Sequence, residues 1–351
     1  MKVRTKFLLA VIALALSGCA GRVAAPSGEI DPVETEPVET ARELGIDDIS
    51  VQSVNAEPRE RSLASSIGPV VTRTQILLNR ARFSVGIIDG KASKNTALAL
   101  SWFQRSQNLP ATAVLDTATH NRLIAAAGST PPVIQITVDA EMLKGPILTL
   151  PKGVYDQANL SCLCYQSVSE MLAERFHSTI EIMRKLNPGI GFAAVKPGDK
   201  LWVPSVDSIM TTTKSIARIQ VSKRGNYVHA LAADKSIIYH FPSTLGSKYD
   251  PSPTGRFRVT GIAWNPTFRY DPTLFSDVAD TKPGARLPPG PNSPVGRVWI
   301  ALSKEHIGIH GTPNPETIGF ASSHGCVRLT NWDATRLGRS TRTGTPVEFT
   351  L

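Results

Sequence analysis

The sequence predicts a multidomain α+β chain: a three-helix domain, then a βααβ module, then a C-terminal domain that is mainly β and sandwich-like. Three observations predict it. Val71, Leu77, Leu78 and Ala81 recur at helical spacing at the start of the stretch 67–128. Two amphipathic runs, 169–176 and 180–186, lie between strand-like stretches within 157–206. From Lys214 to the end at 351, alternating runs such as 215–221, 227–231 and 236–241 recur at the regular spacing of an antiparallel β-sandwich.

The chain has 351 residues, 41% hydrophobic and 19% charged, an ordinary globular composition with room for two or three domains. Its net charge of +9 raises nucleic acid as a partner, but the first twenty residues argue against it. Lys2, Arg4 and Lys6 precede an apolar run, 7–16, too short to span a bilayer. Leu16-Ser17-Gly18-Cys19 then matches a lipoprotein cleavage box, so 1–19 reads as an export signal and Cys19 as the lipidated N-terminus. Ala20, in place of a retaining Asp, favours the inner leaflet of the outer membrane, facing the periplasm. An ordinary cleaved signal, or a short anchor, is the competing reading.

Residues 20–66 read as a disordered acidic tether, with ten acidic and two basic side chains between 29 and 60 and no aromatic residue there. In 67–128 the second helix covers 96–104, and Asp116 caps the third. Residues 129–156 read as a linker with short β character. The module 157–206 is expected to open with a strand carrying Cys162-Leu163-Cys164 and to close on 195–204. The two cysteines are too close in sequence for an unstrained bridge, so buried thiols are expected, with a strained or transient disulfide left open. Only His177 stands near them, too few ligands for a metal site. The domain 214–351 carries seventeen basic and nine acidic residues, an electropositive balance that fits either a cleft for anionic substrates or a generic solvated surface.

The chemistry concentrates in 308–329. A cysteine becomes a strong nucleophile when a neighbouring group takes its proton, and Cys326 has two candidate histidines. His324 is too close along the backbone to reach the sulfur easily. His310 is far enough upstream for a loop to fold back, and is assigned as the base. Gly325 permits a sharp turn before the nucleophile and lets a carbonyl oxygen approach the N–H groups of Gly325 and Cys326, an oxyanion hole. Ser323, His324 and Gly311 read as supports of that loop. Arg328, on the same side of a strand as Cys326, suits a substrate carboxylate. Spacing alone leaves open a buried core thiol among loop histidines.

The run GIHGTPNPETIGFASSHGCVRL resembles the active-site signature of the L,D-transpeptidases, the YkuD-type catalytic domain: His-Gly, a loop, then Ser-His-Gly-Cys with Arg two residues on. Pro253-Thr254-Gly255 and 289–296 are similar to two further phrases of that family and are expected to line its cleft. Ile88-Asp89-Gly90, Trp102-Phe103-Gln104, Leu109-Pro110 and Val114-Leu115-Asp116 resemble a small three-helix peptidoglycan-binding domain. Asn187-Pro188 and 195–204 look like the second half of a LysM module. The resemblance implies a cysteine acyltransferase without cofactor or metal, in which His310 is oriented by a carbonyl near Gly311. Its implied partners are peptidoglycan stem tetrapeptides and glycan, with a wall-linked lipoprotein as one acceptor. A carboxypeptidase, a hydrolase of wall–protein links and a catalytically silent wall tether are the alternatives. The modular reading also makes the domain from Lys214 onward separable.

The lipobox reading has a direct check. The wild-type chain is expected in the membrane fraction, and Cys19→Ala is expected to release it or leave its precursor unprocessed. Membrane attachment that survives Cys19→Ala, with a mature N-terminus elsewhere, excludes the reading.

Overall fold

The computed structural model describes residues 45–57, 61–62, 67–206, 213–274 and 281–351. The export signal, Cys19 and most of the acidic tether lie outside the described residues.

The end of the stretch read as tether is folded. A 3-10 turn at Ile46–Asp48 leads into helix α1 (Val51–Asn55). Ser50 caps α1, accepting the Ser53 N–H at 3.1 Å. Ile49 and Val54 are buried in the core of the helices that follow. The Asn55 amide donates to the Val133 carbonyl and accepts its N–H, both at 2.9 Å. The acidic composition masked four apolar residues, Ile46, Ile49, Val51 and Val54, which all pack against that core.

A short strand β1 (Arg61–Ser62) precedes the helices α2 (Pro69–Arg80) and α3 (Lys94–Ser106). Strand β2 (Val114–Leu115), paired with β1, leads into α4 (Thr117–Ala127). Each start has a local cause. Pro69 occupies the first turn of α2, where its missing N–H costs nothing. Ser93 accepts the Thr96 N–H at 3.3 Å, and Asp116 accepts that of Thr119 at 2.7 Å. Ile76, Leu78, Leu100, Phe103 and Leu123 fill the centre of the three-helix domain.

Next come β3 (Val133–Thr137), α5 (Val154–Ala158), α6 (Val168–Arg175), α7 (Ile180–Leu186) and β4 (Lys200–Pro204). β3 and β4 are antiparallel, with Val133 opposite Pro204 and Thr137 opposite Lys200. Asn187 fastens the end of α7 to β4, donating to the Trp202 carbonyl and accepting its N–H, each at 2.7 Å. The first strand paired with β4 thus comes from the stretch read as a linker. The segment 160–164 forms no strand; it turns, bringing the Cα atoms of Cys162 and Cys164 to 5.2 Å, and their sulfurs are bonded. Extended strand residues two apart stand about 6.6 Å apart. The expectation of thiols assumed that extended geometry, and the turn removes it.

The C-terminal part contains β5 (Arg218–Ser222), β6 (Tyr227–Leu231), β7 (Ile237–Pro242), β8 (Gly255–Trp264), β9 (Phe268–Tyr270) and β10 (Ala285–Leu287). It continues with β11 (Val298–Leu302), β12 (Gly308–His310), β13 (Val327–Arg328), α8 (Asn331–Ser340) and β14 (Pro346–Thr350). Eight of these strands form one sheet in the order β13-β12-β11-β8-β14-β5-β6-β7, with β9 and β10 paired beside it. Just beyond β7, Thr244 bridges to Arg328, tying the end of the sheet back to its beginning. The expectation of a mainly-β domain holds, and one curled sheet supplies the layers. Its core takes in Ile219, Val228, Phe241, Ile300, Ile309, Val327 and Phe349, with Ala334 and Leu337 of α8.

The junctions between these parts are built from buried polar groups. Residues 82–84 run beside β7: Ser84 N–H donates to the His240 carbonyl at 2.9 Å and His240 N–H to that of Arg82 at 3.0 Å. Ser84 Oγ donates to the Asp333 carboxylate at 2.7 Å, and Trp102 lies edge-on to Tyr227 and His229. Glu174 of α6 accepts from Tyr165 at 2.7 Å, Asn331 at 2.8 Å and Arg297 at 3.1 Å. Burial raises the Glu174 pKa, and the Arg297 charge opposes that rise. Residue 214 therefore does not mark an independent domain. A fragment of 214–351 is expected to melt about 10 °C or more below a chain starting at 45, and to self-associate through the face that held 82–84 and Trp102. Calorimetry and light scattering check this; equal melting temperatures contradict it.

Candidate active site

β12 and β13 run parallel, pairing Ile309 with Val327 and His310 with Arg328. Ile309 and Val327 are fully buried in the sheet core. Side chains alternate along a strand and paired residues share a face, so His310, Arg328 and Cys326 emerge on the opposite side. Gly308 stands one step before Ile309, as Cys326 stands one step before Val327, and the Trp299 indole packs where a Gly308 side chain would stand.

The His310 ring is held on two sides. Nδ1 donates to the Gly311 carbonyl at 2.7 Å, which leaves Nε2 as the unprotonated, accepting nitrogen. The indole of Trp299, its register partner on β11, stacks on the imidazole at 5.3 Å. Gly311 is packed against Asn331 and Gly296, where neither glycine has room for a side chain. Asn331 is fixed in turn by Glu174, by the Pro291 carbonyl at 3.0 Å and by the Arg297 N–H at 3.2 Å. Burial pulls the His310 pKa down to about 4; the Gly311 bond opposes this and Arg328 reinforces it.

The turn before Cys326 is closed by side chains. Ser323 Oγ donates to the Cys326 carbonyl at 2.6 Å, and Ser323 N–H donates to the Leu245 carbonyl at 2.8 Å. Gly325 has φ +101°, a conformation that favours glycine. Its carbonyl accepts from Ser252 Oγ at 2.8 Å, and that hydroxyl also accepts the Gly246 N–H at 2.9 Å. The N–H groups of Gly325 and Cys326 have no hydrogen-bond partner among the described residues. His324 sits half-buried on this turn. The thiol of Cys326 lies 3.4 Å from the His306 carbonyl. Burial pushes the thiol pKa up, while a backbone hydrogen bond with Gly308 and the positive charge of Arg328 pull it down. Arg328 is half-buried, with Nη1 3.4 Å from the Ser322 carbonyl.

The structure thus brings His310, Gly311, Ser323, His324, Gly325, Cys326 and Arg328 onto two adjoining strands and the loop between them; Cys19 lies outside the described residues. Sequence reading missed Trp299, Ser252 and Asn331. Ser252 stands one residue before the Pro-Thr-Gly phrase. Asn331 follows Thr330, which caps α8 by accepting the Asp333 N–H at 3.2 Å; that capping pattern was the available signal. Among the described residues no group of three or more His, Cys, Asp or Glu side chains is placed to hold a metal ion.

The arrangement offers a thiol, an imidazole with a free acceptor nitrogen, two unpaired backbone donors and a guanidinium. Comparison with known proteins agrees with this inventory. The L,D-transpeptidase catalytic domain family matches residues 216–349, and the family described as "Putative peptidoglycan binding domain" matches residues 68–123. The chain is 29% identical over 181 residues to the "Putative L,D-transpeptidase YkuD" of Bacillus licheniformis, covering 52% of this chain and 92% of that one. It is 30% identical over 135 residues to the "Putative L,D-transpeptidase YqjB" of Bacillus subtilis, covering 37% of this chain and 69% of that one. A crystal structure of an L,D-transpeptidase from Xylanimonas cellulosilytica aligns over 84% of this chain and 99% of that one, at 14% identity and a TM-score of 0.36. The signature on β12 and β13, the family match and the Bacillus relatives agree: this chain belongs to the L,D-transpeptidase family.

Proposed function

We propose that the chain is a lipid-anchored cysteine L,D-transpeptidase that acts on peptidoglycan stem peptides from the periplasmic face of the outer membrane. The observation that carries the reading is the parallel register of β12 and β13, which sets Cys326, Arg328 and His310 on one face. Arg328 receives a carboxylate of the stem tetrapeptide. The Cys326 sulfur attacks the carbonyl carbon between the diamino acid and the terminal D-alanine, while the thiol proton passes to His310 Nε2. The oxyanion charge falls to the N–H groups of Gly325 and Cys326. The carbon–nitrogen bond breaks, His310 returns the proton to the departing amine of D-alanine, and a thioester remains. An amine of a second stem, or a lysine of a lipoprotein, attacks that thioester. His310 takes the amine proton and the thiol is regenerated, leaving a 3→3 cross-link or a protein–wall bond.

The pKa directions choose between two forms of this chemistry. A depressed imidazole and a raised thiol favour a neutral resting pair over a thiolate–imidazolium pair. His310 is therefore the active base over the neutral range and loses that role only when protonated. Turnover of a soluble tetrapeptide is expected to stay level from about pH 6 to 8 and to fall as the pH drops through about 4. An acid limb centred near 6.5, the ordinary histidine value, contradicts the neutral-pair reading.

Cys326→Ser is expected to abolish D-alanine release, and His310→Ala to reduce it about 100-fold or more. Changing Cys162 and Cys164 together to Ala is expected to leave turnover largely intact. From the family resemblance, a carbapenem is expected to leave one adduct in intact-mass spectra, mapping to Cys326. An adduct or D-alanine release that survives Cys326→Ala overturns the reading. D-alanine release without dimer formation assigns water as the acceptor.

A further inference from the structure

The fifteen residues between His310 and Cys326 form the loop on which base and nucleophile depend, and the three-helix domain holds that loop directly. Asn95, in the first turn of α3, is buried, and its Nδ2 donates to the carbonyl of Ile318 at 2.8 Å. The next residue, Gly319, has φ +82° and packs against the Asn95 amide where a Cβ would otherwise stand. From the other side, buried Thr244 accepts the Gly319 N–H on Oγ1 at 2.9 Å and donates the same hydroxyl to the Thr317 carbonyl at 3.2 Å. Thr244 also pairs with Arg328 through both backbone groups, at 2.9 and 3.0 Å. A continuous path of contacts therefore runs from Asn95 through residues 317–319 and Thr244 to the strand that begins beside Cys326. A second grip lies one residue away on each side: Lys94 Nζ stands over the exposed ring of Phe320 at 4.6 Å.

We propose that Asn95 is a positioning residue for acyl transfer: the helical domain sets the geometry of the His310–Cys326 loop through the Asn95–Ile318 hydrogen bond. This rests on the reading of the reaction given above. The donor is neutral and removed from the reacting atoms, so its influence is geometric, and its loss affects turnover more than capture of the substrate.

The test uses the chain with all its domains and a soluble stem tetrapeptide, reading kcat and KM for D-alanine release together with the melting temperature. Asn95→Ala removes the donor; Asn95→Leu removes it while keeping bulk, in case the smaller side chain compromises folding. Arg82→Ala is the control. It loosens the same docking of helices on sheet by removing the Nε bond to the Ile238 carbonyl, 3.1 Å long, which does not touch the loop. The Asn95 variants are expected to lose about 10- to 100-fold in kcat, with KM changed by no more than about twofold. Arg82→Ala is expected to lower the melting temperature and keep its kcat. Asn95 variants with wild-type kcat overturn the proposal, as does an equal loss of kcat in Arg82→Ala, which would assign the effect to docking in general. A wild-type chain that releases no D-alanine sinks the reading of the reaction; an active wild type matched by Asn95→Ala sinks this inference alone.

Discussion

The parallel pairing of β12 with β13 is the constraint on which the rest of the site depends. Only two residue pairs define the register, yet a slip by one residue would send His310 or Arg328 into the core. Two residues of burial hold the register: Ile309 and Val327 face the apolar interior and neither tolerates exposure. A two-residue strand at the end of a sheet is ordinarily weak. Here it is enclosed, with β12 on one side and Thr244 on the other, so its backbone groups are paired in both directions. The curl of the sheet is thus what allows so short a strand to hold Cys326, one residue before it, in a fixed place.

The same economy governs the contacts between domains. Asp333 and Glu174 are carboxylates in the interior, and burial raises the pKa of each, Asp333 to about 6. Such groups stabilise little in net terms, but removing one partner of a buried charged group typically costs about 3–5 kcal/mol. They therefore penalise misdocking more than they reward docking. Glu174 reaches both Arg297 and Asn331, and Asn331 backs the glycine whose carbonyl orients His310. A residue of the βααβ module thus stands three contacts from the imidazole of His310.

Much of this was legible in the sequence, for identifiable reasons. The three helices were readable because the Asp116 cap and the apolar spacing point the same way; the Ser93 cap emerged only in the structure. The site loop was readable because its run from Gly308 to Leu329 resembles a long family signature; spacing alone left a buried core thiol open. What stayed hidden was long-range. Ser252 and Asn95 lie 73 and 223 residues from the groups they hold. β3 carries the same alternation as any exposed linker strand until its partner β4 is known. The turn at Cys162–Cys164 is set by docking on 289–292: Leu163 N–H donates to the Pro289 carbonyl at 2.9 Å, and Asn292 N–H to the Leu163 carbonyl at 3.0 Å. Residues 45–57 were misread because net charge was averaged over a segment in which four apolar side chains suffice for docking.

The electrostatics suit a buried imidazole to the proposed reaction. Placing both charges of a thiolate–imidazolium pair in the interior costs desolvation twice, and their attraction repays it only in excellent geometry. A neutral pair avoids that cost at rest and develops charge only as the sulfur attacks. In the proposed reaction charge then develops at three places: on the imidazole, near the N–H groups of Gly325 and Cys326, and beside Arg328. The two backbone donors are unpaired among the described residues, so no protein hydrogen bond has to break for them to meet the oxyanion of the proposed reaction. Arg328 cannot serve both ends equally. Its charge disfavours imidazolium, adding to the burial that chiefly lowers the His310 pKa, yet it favours a carboxylate or a developing negative charge at the cysteine. A substrate carboxylate bound to Arg328 would cancel the first effect. Binding the correct stem peptide would thereby make His310 a better base, so that recognition and activation become one electrostatic event.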